Sequence, residues 1–311
     1  MHNTFINILS GAVCFTGVIW FSGKIINIFK KKKELKDINY FNKNKQGFVS
    51  TIFKFIGSFF PVLFVVFIIR SFIYEPFYIP SQSMIPALLP GDYILVKKFF
   101  YGLVNPLNNV QFITFHHPKR GDLVVFQNPK YPNKYYVKRI IGIPGDQLMY
   151  DEINKIVTIY NSSNSSRISN NKIFISYDFK ETDHFVHNNI LKQKIINMLR
   201  LSQKNESEKY DISIVQENLN HHKHDILIYN NKPNILKNND NISKNLNKCT
   251  VPKDEYFVMG DNRDNSFDSR SFGCISEKNI IGKVEYIFLS VDPNQKPWPI
   301  GINVYRTSKI Y

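Results

Sequence analysis

Ser81 and Ser83 stand two residues apart in IPSQSMIP (79–86), a turn stiffened by prolines on both sides. A serine hydroxyl is a weak nucleophile until an adjacent base takes its proton. One candidate base is Lys138, in YYVKRII between Val137 and Arg139. Side chains alternate along a strand, so Lys138 and Arg139 point to opposite faces, and one of them must turn inward or lie along a cleft. Burial disfavours an ammonium and lowers its pKa, which would let Lys138 work as a neutral amine. Each residue also has a plain alternative. Serines in proline-bounded turns commonly only form the turn, and a lysine in an apolar strand commonly snorkels to its edge.

Histidine is the rival base. His116 and His117 precede PKRGD, and a Ser-His-Asp arrangement through either stays open at this level. His221, His222 and His224 fall in a polar stretch, HHKH, with no HExxH anywhere, so no metal site is expected. The stretch MGDNRDNSFDSRSFG (259–273) has the acid spacing of a calcium loop. It fails in both registers: Asp261 as first ligand puts Phe272 at the closing glutamate position, and Asp264 puts Ile275 there. A tight network of Asp and Arg pairs supporting something beside it fits better.

These residues need elements to position them. PGDYILV (90–96), RGDLVVF (120–126) and PGDQLMY (144–150) share one form: a Gly-Asp turn, then a run of β-branched, aliphatic and aromatic residues. YYVKRIIGI (135–143) and VEYIFLSV (284–291) read as further strands. The expected fold is mainly β: a catalytic domain of antiparallel sheets, with an inserted β-rich subdomain, preceded by two transmembrane helices. Within 151–250, NSSNSSRISNNK (161–172), SQKNESEKY (202–210) and NNKPNILKNNDNISKNLNK (230–248) are polar and low in complexity, and are expected to form mobile loops between strand-like pieces such as KIFISYDF (172–179) and DILIYN (225–230).

The N-terminal quarter is different. Thr4 to Gly23 carries no charge and is long enough to span a bilayer. With no Lys or Arg before Lys24 it reads as a retained anchor rather than a cleaved leader. A second apolar run, 55–69, extends through SFIY past Arg70; a buried soluble helix is its competing reading. The linking segment carries Lys24, Lys30 to Lys33, Lys36, Lys43 and Lys45 against only Glu34 and Asp37. That bias places it in the cytoplasm, with the N-terminus and everything beyond residue 74 outside. The expected divisions are 1–23 (first anchor), 24–54 (basic cytoplasmic loop), 55–73 (second span), 74–150 and 251–311 (two parts of a catalytic core), and 151–250 (insert).

The formal charge of +15 comes from 40 Lys+Arg against 25 Asp+Glu, spread along the whole chain. No nucleic-acid-binding motif accompanies it, so no nucleic acid is expected as partner. Three cysteines do not make a disulfide scaffold; Cys249 and Cys274 could pair or stay free.

Taken together, the spans and the blocks YEPFYIPSQSMIPALLPGDYILVKKFFYG (74–102), HPKRGDLVVFQNP (117–129), YYVKRIIGIPGD (135–146) and MGDNRDNSFDSRSFG resemble bacterial type I signal peptidases. These are membrane serine proteases that remove signal peptides from exported preproteins. The resemblance implies a Ser/Lys dyad, with Ser83 as nucleophile and Lys138 as general base, and an oxyanion hole from the Ser81 hydroxyl and the Ser83 amide. It implies that Ser266 orients the lysine amine, that Asp268 and Arg270 form a buried pair holding the loop, and that Gly260 opens it. Shallow pockets for small residues before the cut, of Ala-x-Ala type, are implied at Phe77, Ile79, Leu88, Tyr136 and Val137. The implied partners are signal peptides, the lipid bilayer of a bacterial inner membrane and, on encounter, the export machinery; no cofactor is implied. Gln82 departs from a position often occupied by glycine. Two rival readings are a related Ser/Lys protease that cuts itself or a transcription factor, and a membrane-anchored β-domain that binds exported chains without cleaving them.

Overall fold

The computed structural model describes residues 2–34, 48–105, 111–131, 134–161, 172–173, 175–178, 193, 195, 199, 211–219, 222–230, 249–292 and 301–310. Two compact units emerge: Met1–Glu75 with Leu103–Phe112, and Pro76–Gly102 with Ile113–Tyr311.

In the first unit, α1 (His2–Glu34) runs well past Gly23 into the lysine block. The sequence reading ended the helix with the apolar run, but Lys, Glu and Leu are good helix formers, so charge does not stop it. The returning segment is two helices, α2 (Phe48–Ser58) and α3 (Phe60–Ile68), followed by a π-helical turn over Ile69–Ile73. Pro61 sits in the first turn of α3, where its missing N–H costs nothing, and the break falls just before it. Gly57 lets α2 approach the backbone of α1: a Cβ there would lie 3.4 Å from Trp20 Cα. The Trp20 and Phe60 rings pack beside this contact, with centroids 5.3 Å apart. Phe5–Phe29 and Thr51–Ile73 are long and apolar enough to cross a membrane.

The chain then enters β structure: β1 (Tyr74–Tyr78), β2 (Asp92–Lys97), a ribbon of β3 (Gly102–Val104) and β4 (Gln111–Thr114), β5 (Leu123–Gln127), β6 (Tyr135–Gly142), β7 (Asp146–Asp151), β8 (Ile156–Asn161), β9 (Lys172–Ile173), β10 (Ile175–Asp178), β11 (Asp211–Leu219), β12 (His222–Asn230), β13 (Cys249–Thr250) and β14 (Glu255–Met259). A short helix α4 (Ser269–Phe272), β15 (Ile275–Ser276), β16 (Ile280–Ser290) and β17 (Ser308–Lys309) complete it. The Gly-Asp turns work as read: Gly91, Gly121 and Gly145 have φ of +96°, +89° and +87°, which side chains disfavour. The polar runs of the insert fall almost wholly outside the described residues.

Among the described residues one sheet has the order β1-β2-β16-β5-β6-β14-β15, with β17 paired to β16. β5 is apolar from Leu123 to Phe126 because both its faces are covered there. Leu123 and Val125 pack with Ile79, Leu88 and Ile94, while Val124 and Phe126 pack with Ile140, Tyr256 and Val258. β13-β7-β8-β9 and β10-β11-β12 form two smaller sheets.

The serine turn between β1 and β2 is closed by Asp92. Its carboxylate accepts from Leu89 N at 2.8 Å, and its carbonyl accepts from Ile79 N at 2.9 Å. Arg306 covers it, donating to Asp92 at 3.1 and 2.6 Å and to the Ala87 carbonyl at 3.1 Å. Removing Arg306 leaves a fully buried, unpaired carboxylate. Arg306→Ala is expected to destabilise the domain by about 3 kcal/mol, and Asp92→Asn with Arg306→Met to recover part of the loss. Thermal unfolding of the detergent-solubilised variants checks this; equal midpoints for wild type and Arg306→Ala would show that the pair contributes nothing.

Candidate active site

Lys138 lies on β6 opposite Val124, and only 2% of it is exposed. Its amine Nζ donates to Ser83 Oγ at 2.6 Å. Burial brings the Lys138 pKa down from 10.5 to about 8. The Asp268 and Asp261 carboxylates oppose that fall, and the Arg270 guanidinium adds to it. Ser81 Oγ stands 3.3 Å from Ser83 Oγ, so both hydroxyls edge one exposed point.

Sequence reasoning sent one of Lys138 and Arg139 inward. The structure buries both, 2% exposed each. They reach opposite environments: Arg139 makes a bidentate pair with Asp261 at 2.8 and 2.7 Å and also donates to the Gly121 carbonyl. Lys138 is given a hydroxyl instead of a carboxylate. The histidines are engaged elsewhere. His116 Nδ1 meets the Phe100 carbonyl, and His117 Nδ1 lies 2.8 Å from Glu277.

The loop 259–273 packs behind the dyad. Arg270 holds Asp268 bidentately, both contacts 2.8 Å, and reaches the Tyr150 hydroxyl on β7. Asp268 in turn accepts from Gly260 N at 3.0 Å. Burial would raise the Asp268 pKa, but Arg270 more than offsets that and holds it below the usual carboxylate range. Ser266 Oγ is buried and, among the described residues, makes no hydrogen bond. It sits over Gly260, where a Cβ would collide with Ser266 Oγ and lie 2.5 Å from the Ser83 carbonyl oxygen.

Several supports were invisible in sequence. Asn262 donates from its backbone to the Ser83 carbonyl and from Nδ2 to the Gln82 carbonyl, 3.1 Å each, stitching the loop to the serine turn. Gln82 is tolerated because its carbonyl, not its side chain, makes that contact. From the insert, Glu217 on β11 is fully buried in a bidentate pair with Arg263 and lies 3.0 Å from His224 Nε2. Lys155 pairs with Asp264 at 2.7 Å, and β12 exchanges backbone bonds with the loop: Leu227 N to the Asp261 carbonyl, Arg263 N to the Leu227 carbonyl. The one available signal was an acidic residue inside an apolar strand, in ISIVQENL.

The five expected pocket residues do not form one surface. Ile79 and Leu88 are buried together, with Phe77 and Val137 packed on them. Tyr136 faces the other way, against Phe126, and its ring lies under the Lys138 amine at 6.0 Å. Strand alternation separates it from Val137. Phe267, which is exposed, lies tilted at 53° to Tyr136 with centroids 6.4 Å apart.

Residues 52–289 match the family described as signal peptidase, peptidase S26. Over the whole of both chains the protein is 42% identical to the signal peptidase I of Buchnera aphidicola subsp. Schizaphis graminum. It is 28% identical to that of Haemophilus influenzae over 98% of this chain and 91% of the relative, and 33% identical to that of Pseudomonas aeruginosa over 78% and 74%. The class is thus peptidase S26. Within it, the chain belongs to the signal peptidase I family.

Because the Ser83 carbonyl and Ser266 close on Gly260, Gly260→Ala must push the loop away from the serine turn. The expected result is a loss of about 1–3 kcal/mol of stability and a drop in activity. Thermal unfolding and peptide cleavage measured together check it, and a variant equal to wild type in both would remove Gly260 from the site.

Proposed function

We propose that this membrane-anchored serine endopeptidase removes signal peptides from exported preproteins by cutting after small residues, with Ser83 as nucleophile and Lys138 as general base. The observation that carries the residue assignment is the 2.6 Å contact between a buried amine and the Ser83 hydroxyl. An amine titrating near 8 keeps a neutral fraction near neutral pH that an ordinary lysine lacks, and in that form it can accept the serine proton as Oγ attacks the scissile carbonyl. The new C–O bond places negative charge on the carbonyl oxygen, and the Ser81 hydroxyl and Ser83 N–H are the donors proposed for it. Such donors are commonly worth about 3 kcal/mol each. The proton on Lys138 passes to the departing amine as the C–N bond breaks. Water then enters and gives a proton to Lys138 as its oxygen attacks the ester carbonyl; the C–O bond to Ser83 breaks, and Lys138 returns that proton to Ser83 Oγ. Ser266, whose buried hydroxyl makes no hydrogen bond among the described residues, is proposed to turn onto the Lys138 amine, while Asp268, Arg270 and Gly260 hold the loop behind it.

For specificity, the apolar wall of Ile79, Leu88, Phe77 and Val137 supports shallow pockets for an Ala-x-Ala-type sequence, with Tyr136 on the side of the lysine. The two N-terminal spans anchor the protein; the lysines of the 24–54 segment support a cytoplasmic position for it, with the N-terminus, the core parts 74–150 and 251–311, and the 151–250 insert on the outer side of the inner membrane. Substrates still tethered by their apolar segments would reach the site there, on encounter with the export machinery.

Ser83→Ala is expected to lower kcat on the order of 10⁴-fold or more, as loss of a nucleophile does in serine peptidases generally. In wild type, kcat/KM should rise with pH through an apparent pKa near 8, as Lys138 loses its proton. Cleavage of an Ala-x-Ala peptide across pH 5–10 checks both; an acid limb near the roughly 6.5 of histidine, or activity retained by Ser83→Ala, would sink the dyad. An impermeant protease added to intact spheroplasts should remove an epitope placed after Tyr74 and spare one placed in the 24–54 segment. The reverse pattern would invert the orientation.

A further inference from the structure

Cys249 and Cys274 lie outside the dyad, and the reaction uses neither. They stand at the two ends of the segment that contains Asp261, Ser266, Asp268 and Arg270. Cys249 opens β13 opposite Leu148 of β7; Cys274 immediately precedes Ile275, which pairs with Tyr256 of β14. These strands bring both side chains onto one apolar cluster that includes Leu148, Val251 and Phe257. Both residues keep partial exposure to solvent, and each thiol is the largest influence on the other's titration, as neighbours on one cluster are.

Fully buried structural cysteines are inert, and a metal would need more ligands; no cluster of three or more His, Cys, Asp or Glu able to hold one exists among the described residues. Two thiols packed on one cluster and partly open to solvent have a different chemistry. We propose that Cys249 and Cys274 are a dithiol–disulfide site, oxidised by a disulfide reagent to a bond that closes the 249–274 segment into a ring and braces the loop behind the dyad.

The step is thiol–disulfide exchange. The Cys249 thiol, brought down to about 7 by the neighbouring Cys274, loses its proton and attacks one sulfur of the oxidant. The oxidant's S–S bond breaks, and its other half leaves as a thiolate. Cys274, whose thiol is pushed up by the neighbouring Cys249 and by burial, gives up its proton and attacks Cys249 Sγ. That forms the intramolecular S–S bond and expels the second half of the oxidant. Two protein thiols are oxidised and one small disulfide is reduced to two thiols. Bringing the two sulfurs to a bond of about 2 Å needs side-chain rotation on a two-residue strand.

The test uses the full chain in detergent on a Cys14→Ser background, equilibrated with reduced and oxidised glutathione at graded ratios. Unreduced digests are read by mass spectrometry. A Cys249–Cys274-linked peptide lighter by two hydrogens is expected from the native protein. The oxidised form should unfold about 5–10 °C above the reduced one, and reduction should reverse the difference. Cys249→Ser and Cys274→Ser should each leave a single thiol that takes up one glutathione and show no rise in midpoint. Separate glutathione adducts on both cysteines, intermolecular links, or a linked form that unfolds with the reduced one would overturn the proposal.

Discussion

Everything around this site depends on keeping one amine out of water without giving it a carboxylate. A fall in the Lys138 pKa from 10.5 to about 8 corresponds to roughly 3 kcal/mol against its charged form. A single carboxylate in contact would reverse that, since paired charges in a low-dielectric site attract strongly. The nearby acids are therefore committed elsewhere: Asp261 to Arg139, Asp268 to Arg270, Asp264 to Lys155 and Glu217 to Arg263. Among the described residues no ion pair reaches Lys138. The linkage has a definite sign. Below about pH 8 the folded protein carries the full cost of a buried ammonium. That cost fades as pH rises toward 10.5, where the unfolded chain also releases its proton.

Arranging so many buried pairs next to a lone amine requires a rigid backing, and the insert supplies it. Taking a guanidinium and a carboxylate out of water is expensive, and such pairs are retained more for the geometry they enforce than for net stability. Arg263 and Glu217 join β11 to the loop, and β12 extends the loop's backbone hydrogen bonding, so β11 and β12 act as part of the site's support. Asn262 then passes that rigidity to the serine turn through two backbone carbonyls. The turn that carries Ser83 is thus held from one side by Asn262 and from the other by Asp92 and Arg306.

The features legible in sequence were those with local causes. Gly91, Gly121 and Gly145 need positive φ, and the runs after them alternate or stay apolar, so turns and strands could be read directly. The meeting of Ser83 and Lys138 was not periodic in any sense; it came from the resemblance, because 55 residues of chain and a sheet crossing separate them. What was missed is of one kind. Glu217, Asn262, Tyr150 and Arg306 act through partners far away in sequence, and a buried charge looks the same on paper as a solvated one. The extent of α1 was missed for the opposite reason: composition marked a membrane boundary, and a helix is free to continue through it.

A site that disfavours a resting ammonium must still accept one, because the proposed reaction puts the serine proton on Lys138. Asp268 and Asp261 reconcile the two demands. They lie too far back to pair with the amine, yet both favour its charged form, so they soften the cost of the transient cation. Arg270, bound to Asp268, works in the other direction and keeps that help partial. In the proposed reaction the oxyanion forms beside Ser81, so the new cation gains an opposite charge close by, an interaction absent from the resting state. Stabilisation that exists only once the charges have separated lowers the barrier without deepening the ground state. A carboxylate in direct contact with Lys138 would give the larger attraction and the slower enzyme.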